Sequence, residues 1–172
     1  MLIRSAASGD ELAVARVHVR SWQTAYRTLL PDDVLDRLRP EDRAKRYTFG
    51  SSEPQRPATI VAVDGASICG FATIAPARDA DAAGNGELCA LYVDPESWGR
   101  GVGVELISTA RARLVDRGFQ HATLWVLVGN IRAERFYQKD GWAPDGSRRT
   151  SRIWGANVEE VRYVRRLRVC GR

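Results

Sequence analysis

The segment that most constrains this chain runs Leu91-Tyr92-Val93-Asp94-Pro95-Glu96-Ser97-Trp98-Gly99-Arg100-Gly101-Val102-Gly103-Val104. An apolar, strand-like run enters a proline turn, passes glycines at alternate positions and leaves into a helical pattern. Such a loop aims successive backbone N–H groups at one point, where the helix dipole adds partial positive charge. Gly101 and Gly103 lack a Cβ, so an anion can approach the main chain closely. Arg100 adds a charge beside it, and a pyrophosphate is the natural ligand. Two familiar phosphate loops are excluded. A G-x-G-x-x-G fingerprint needs its third glycine at residue 104 or 106, which are Val104 and Leu106. A P-loop needs G-K-[ST], which Arg100-Gly101-Val102 does not supply.

The remaining chain reads as one α/β or α+β domain over residues 1–172. Its 172 residues, 44% apolar and 27% charged, suffice for a core that needs no disulfide or metal. Ser8-Gly9-Asp10-Glu11 reads as a capping box with Ser8 as N-cap, opening a helix of about 18 residues. Leu12, Ala15, Val19, Trp22 and Tyr26 mark its apolar face. Pro31 and Pro40 suit the first turns of short helices, and residues 50–57 read as a loop. Thr59–Val63 and Ser67–Ile74 read as strands joined at Asp64-Gly65, a signal for a type I′ hairpin turn. Glu87–Val93 is a further strand and Val104–Val115 a helix stopped by Gly118. His121–Val128 is an apolar central strand. Asn130 caps a helix to Lys139, which Asp140-Gly141 stops. Residues 147–154 and 158–167 form a final strand pair, so all elements belong to one sheet with helices.

Several classes fall away. No apolar stretch approaches the roughly 20 residues of a membrane span, and the N-terminus lacks a signal-peptide pattern, so a cytoplasmic location is expected. Cys69, Cys89 and Cys170 make no C-x-x-C, and His18 and His121 are the only imidazoles, so no metal site is expected. Cys69 and Cys89 sit in apolar runs and read as buried thiols. The net charge of +5 is mild and favours an anionic partner without naming one.

A second segment, Trp125-Val126-Leu127-Val128-Gly129-Asn130-Ile131-Arg132-Ala133-Glu134-Arg135-Phe136-Tyr137-Gln138-Lys139-Asp140-Gly141-Trp142, fits N-x-x-A-x-x-F-Y-x-x-x-G-[FW]. With Trp98-Gly99-Arg100-Gly101-Val102-Gly103 set against [QR]-x-x-G-x-[GA], the chain resembles the GCN5-related N-acetyltransferase (GNAT) superfamily. The resemblance is specific over residues 85–172 and rests on element order before them. It implies a mixed, mostly antiparallel central sheet, flanked by helices and splayed between its fourth and fifth strands. It implies acetyl-CoA as cosubstrate, with Leu91, Tyr92, Val93, Trp98, Gly99, Arg100, Gly101, Val102, Gly103, Val104, Asn130, Ala133 and Phe136 along the coenzyme. The pantetheine arm is expected on backbone near Leu91 and Val93. Trp98 departs from the pattern; it is expected to pack over the loop or coenzyme instead of hydrogen-bonding.

Acetyl transfer to an amine requires removal of an ammonium proton, stabilisation of the thioester oxygen and protonation of the leaving thiolate. The resemblance gives the last role to Tyr137, whose alternative is a core aromatic beside Phe136. Glu87 is the implied general base, acting through water; its alternative is a solvated strand-edge carboxylate. Asn130 serves as N-cap and as coenzyme contact. His18 reads as a boundary histidine sooner than a base. Trp22 and Tyr26 are candidates for the acceptor wall, although their helical spacing also suits the core.

The acceptor implied is a small-molecule or peptide amine, and dimers are common among the resembling proteins. Two rival functions are an acyl-CoA-binding regulatory domain, against which Tyr137 counts, and a nucleic-acid-binding module. The arginines crowding the C-terminal quarter alternate with apolar residues on a strand pair, without any nucleic-acid-binding motif. Neither nucleic acid nor membrane is therefore expected as a partner.

Overall fold

The computed structural model describes residues 1–50, 53 and 56–167. Seven strands form one sheet: β1 (Leu2–Ser5), β2 (Ala58–Asp64), β3 (Ser67–Pro76), β4 (Gly86–Val93), β5 (His121–Leu127), β6 (Ala143–Ile153) and β7 (Ala156–Arg166). Among the described residues five α-helices accompany them: α1 (Glu11–Ala25), α2 (Asp32–Asp36), α3 (Pro40–Ala44), α4 (Val102–Asp116) and α5 (Ile131–Lys139). The strand order is β1-β2-β3-β4-β5-β7-β6. Every neighbouring pair is antiparallel except β4 and β5. That parallel pair holds at only two positions, Gly86↔Ala122 and Glu87↔Thr123. Beyond them the strands part, which is the expected splay. At the point of closure Gly86 is obligatory, because a Cβ there would lie 2.5 Å from Leu114 Cδ2 on α4.

Strand alternation sorts the core onto two faces. Ile60, Ala72, Ile74, Leu88, Leu124 and Val126 pack with Leu106, Ile107, Ala110 and Leu114 of α4. Val61 and Phe71 point the other way, against Val14 and Val17 of α1. A third cluster joins Val19, Trp22 and Tyr26 to Leu35 of α2, Leu127 of β5 and Val158 of β7.

Four local readings need correction. The N-cap of α1 is Asp10, not Ser8, and the helix has 15 residues. The Asp10 carboxylate accepts the Ala7 amide at 2.8 Å and pairs with Arg4 of β1 at 2.6 Å, so it anchors the helix start to the sheet. Leu12 is exposed, and the buried face is instead wide, with Val14, Val17, His18 and Ser21 joining Ala15, Val19 and Trp22. The β2–β3 turn pairs Asp64 with Ser67 and has positive φ only at Gly65, the φ pattern of a type II′ turn. Cys69 is buried, its thiol donating to the Ala62 carbonyl at 3.4 Å, but Cys89 is exposed. Cys89 is the extra residue of a bulge, since Thr73 faces Ala90 while Ile74 faces Leu88. Cys170 lies outside the described residues. The ends of α4 and α5 behave as read: Gly118 and Phe119 close α4 through amide bonds to Val115 and Leu114. Asn130 caps α5 by accepting the Ala133 amide at 3.2 Å.

Candidate active site

The splay opens a cleft of about 580 Å³. One wall is β4 with the glycine loop, and the other is β5 with α5. Gly101 is the N-cap of α4 and takes φ 82°, the left-handed region that disfavours a side chain. A Cβ there would meet nothing within 4 Å, so the glycine is required by conformation and not by crowding inside the chain. Gly103 sits within the helix with ordinary φ, and a Cβ would lie 3.4 Å from the Phe136 ring. The loop thus presents backbone to open space at the mouth of the cleft.

The cleft gathers Leu91, Tyr92, Val93, Trp98, Gly99, Gly101, Val102, Gly103 and Val104 from the first wall. Asn130, Ala133, Phe136 and Tyr137 come from the second, and Trp22 and Tyr26 from α1 and its end. Arg100 is exposed and is not among the lining residues, so the structure does not bring it to the cleft with the others. Trp98 also departs from expectation. Its indole N–H donates to the Val93 carbonyl at 2.8 Å, and its ring carries the Arg132 guanidinium 3.3 Å from its centroid. Ser21 donates to the same Val93 carbonyl at 2.8 Å, so that acceptor is already occupied.

Tyr137 packs edge-on against Phe136 and Trp142 and lines the cleft, so the acid and core-aromatic readings coincide in one side chain. Its hydroxyl has no hydrogen-bond partner among the described residues. Loss of solvent, with Tyr92 adding to it, pushes its pKa above the usual tyrosine range, so the proton is retained at neutral pH. Glu87 is 4% exposed and lines the cleft, which overturns the solvated-edge alternative. Its carboxylate has two weak contacts, the Arg78 amide at 3.4 Å and the Arg78 guanidinium at 3.7 Å. Beside it, Cys89 is exposed as a residue but its sulfur turns in to the Glu87 carbonyl at 3.8 Å. Desolvation of the thiol, with the Glu87 carboxylate adding to it, pushes it up to about 12, which disfavours a thiolate near neutrality.

His18 is buried, not at a boundary. It stacks on Tyr92 with centroids 4.5 Å apart, and its Nδ1 is 2.7 Å from the Tyr47 hydroxyl. Burial, with Arg43 adding to it, holds it well below the usual histidine range, so it is neutral and off the cleft. Trp22 and Tyr26 belong to the core and line the cleft at once, being 5% and 9% exposed.

The end of the cleft away from the glycine loop holds residues that no local motif marked: Arg78, Trp125, Arg149, Ile153 and Glu160. Arg149 lies over the Trp125 ring at 4.1 Å and donates to Glu160 at 2.7 Å. Trp125 donates to Asp79 at 2.9 Å. Behind them Arg162 binds both oxygens of Asp81, at 2.7 and 2.6 Å, together with Asp145 at 2.8 Å and Ser147 at 2.9 Å. This ties the β3–β4 connection, including Arg78, across the splay to β6 and β7. Among the described residues no group of three His, Cys, Asp or Glu side chains is placed to hold a metal ion. No described helix is long and apolar enough to cross a membrane.

A mixed sheet parted between two parallel strands, with a glycine-capped helix at the mouth, defines an acetyltransferase-type α/β domain. Residues 18–142 match the model of the acetyltransferase (GNAT) family, and the chain belongs to that family. It is 29% identical over 128 residues to the uncharacterized N-acetyltransferase YuaI of Bacillus subtilis, covering 74% of this chain and 72% of that one. It is 29% identical over 159 residues to the uncharacterized N-acetyltransferase Rv2669 of Mycobacterium tuberculosis, covering 92% and 97%. The PaiA N-acetyltransferase of Thermoplasma acidophilum, solved in complex with coenzyme A, shares the fold with a TM-score of 0.70 at 18% identity, covering 96% and 98%.

Proposed function

We propose that the chain, acting as one domain in the cytoplasm, transfers the acetyl group of acetyl-CoA to a primary amine by direct attack in a ternary complex. The observation that carries this reading is the single cleft that joins the glycine loop, Tyr137 and Glu87. The backbone around Gly101–Gly103 suits a pyrophosphate, and the parted β4 and β5 suit the pantetheine arm. Because the Val93 carbonyl is occupied, the arm draws on β4 backbone groups nearer the Cys89 bulge. Glu87 takes one ammonium proton through water, the amine nitrogen bonds to the acetyl carbon, the carbon–sulfur bond breaks with Tyr137 protonating the thiolate, and the second nitrogen proton leaves through water to restore the tyrosine. A carboxylate buried with only weak partners suits a cationic amine, and a tyrosine that keeps its proton suits an acid for a thiolate.

An amine panel with acetyl-CoA, following free-thiol release, identifies the acceptor, a small molecule or a peptide. Intersecting initial-velocity patterns are expected. Ping-pong patterns, or an acetyl-cysteine trapped without acceptor, would rule out direct attack. Tight coenzyme binding without thiol release across the panel would favour an acyl-CoA-binding regulatory domain instead.

A further inference from the structure

Outside the cleft the most charged feature is a groove of about 540 Å³ between α2–α3 and the β6–β7 hairpin. Arg37, Arg39, Arg43, Arg46 and Arg152 line it, against one acid, Asp42. That acid is already paired with Lys45 at 2.9 Å. Of the five arginines only Arg37 has a carboxylate partner among the described residues, Asp33. Arg39 donates to the backbone carbonyls of Asp36 and Leu38, and Arg43 to the Tyr47 hydroxyl at 3.2 Å. Arg46 and Arg152, from separate parts of the chain, face the groove with no acidic partner among the described residues. Like charges converging without counter-ions are unfavourable unless an anion completes them.

The groove adjoins the acceptor end of the cleft. Ile153 lines the cleft while its neighbour Trp154 lines the groove. The Trp154 ring lies 5.7 Å from Trp22, which faces the cleft, and 5.5 Å from the Arg43 guanidinium in the groove. Trp154 takes φ 55°, the one non-glycine residue with positive φ among those described. A large side chain in this conformation is strained, and such strain persists where surrounding contacts hold it, often at binding sites. Here His18, Trp22 and Arg43 hold the indole at the edge of the groove nearest the cleft.

We propose that the groove is an extended acceptor subsite for the acidic stretch of a peptide whose amino terminus enters the cleft. It rests on the amine-transfer reading above. The arginines are spread from the end of α2 through α3 and just past it to the hairpin instead of meeting at one point, which suits several carboxylates in succession better than a single phosphate. A volume in the small-ligand range admits a short extended segment and excludes a nucleic-acid duplex.

The test uses the full chain and two dye-labelled peptides with a free N-terminal alanine, one followed by four glutamates and one by four glutamines. Anisotropy at low salt should show the glutamate peptide binding roughly tenfold more tightly, with the advantage shrinking as salt rises. The exposed double variant Arg46→Glu, Arg152→Glu should abolish that advantage while coenzyme A affinity, measured by calorimetry, is unchanged. In thiol-release assays the variant should raise KM for the glutamate peptide and leave kcat intact. Equal binding of the two peptides, or an unchanged preference in the variant, overturns the subsite. So does tighter binding, with the cleft saturated by coenzyme A, of a single-stranded oligonucleotide or of inorganic pyrophosphate that the double variant abolishes. A glutamate preference with no acetyl transfer to these peptides or across the amine panel would leave the groove an acidic-peptide site and refute the transfer reading; transfer without the preference would do the reverse.

Discussion

Replacing Arg162 by alanine removes the knot that ties the β3–β4 connection to the far half of the sheet. The Arg162 side chain is 8% exposed and is held by Asp81, Asp145 and Ser147, with Asp79 at 3.5 Å. Asp81 is exposed, so its share is screened and is left out of the sum. Asp145 is 21% exposed and loses a charged hydrogen bond, a contribution of about 1.5–3 kcal/mol. The Ser147 bond adds about 1 kcal/mol. The expected loss is about 3 kcal/mol, or roughly 6–12 °C in Tm for a domain of this size. There is an acid signature as well. Burial alone would raise the Asp145 carboxyl, but the Ser147 amide and Arg162 outweigh it and hold it below its ordinary value. A depressed folded pKa contributes stability above the unfolded value, near pH 4, and that contribution disappears as pH falls through the folded value. Wild-type protein should therefore lose this increment below about pH 4, and Arg162→Ala should show less of that loss. Thermal and urea unfolding between pH 3 and 7 measure both, with Arg162→Lys intermediate because it keeps charge without the planar fork. A midpoint shift under about 2 °C with an unchanged acid limb would refute the assignment of the knot as a structural tie.

Tyr137→Phe should lower kcat by roughly 10²–10⁴-fold with coenzyme affinity nearly unchanged; a wild-type kcat would remove the tyrosine from the acid role. Gly101→Ala should cost about 1 kcal/mol of stability from its positive φ and also weaken coenzyme A binding in calorimetry. Gly103→Ala, with ordinary helical φ, should hold or raise Tm while still weakening that binding; equal effects at both positions would contradict the distinction. Trp98→Arg restores the family's residue type but removes the bond to Val93 and the platform under Arg132, so coenzyme affinity should fall, and a gain would show that the indole is dispensable. His18 is neutral when folded, so stability should decline by about 1.4 kcal/mol per pH unit as pH falls below the unfolded histidine value near 6.5; His18→Phe should flatten that slope in urea titrations between pH 5 and 7.

The elements that bring the coenzyme end together were legible because each carries a local signal. The alternate glycines before α4, Asn130 before α5 and the Phe136-Tyr137 pair are each complete within a few residues, and their conformations follow from short-range sterics and capping. The capping box at Ser8 misled because Arg4 competes for Asp10, a contact between elements that no local pattern reports. Cys89 reads as buried in an apolar run, yet the bulge turns it into the cleft, and a bulge depends on pairing with β3. Of the far end of the cleft, Trp22, Tyr26 and Glu87 were legible and the rest was not. Arg78, Trp125, Arg149 and Glu160 meet through sheet order, β5 beside β7 beside β6, and no spacing in the chain predicts that adjacency. Arg132 belongs to the segment that carries the family pattern, but its place over the Trp98 ring depends on a residue 34 positions earlier.

Because β4 and β5 pair at only two positions, the molecule has two inner edges in the middle of its sheet. Edge strands ordinarily lie at the periphery, where unpaired amides exchange with solvent. Here alternate amides along β4 face a gap, so in deuterated water the centre of the sheet should exchange faster than the strands around it. A ligand seated in the gap then acts as mortar between two half-sheets, and the energy it contributes appears as cohesion of the whole fold. With coenzyme A bound there as proposed, the melting temperature should rise with its concentration. Without it the sheet should part first along the gap between β4 and β5.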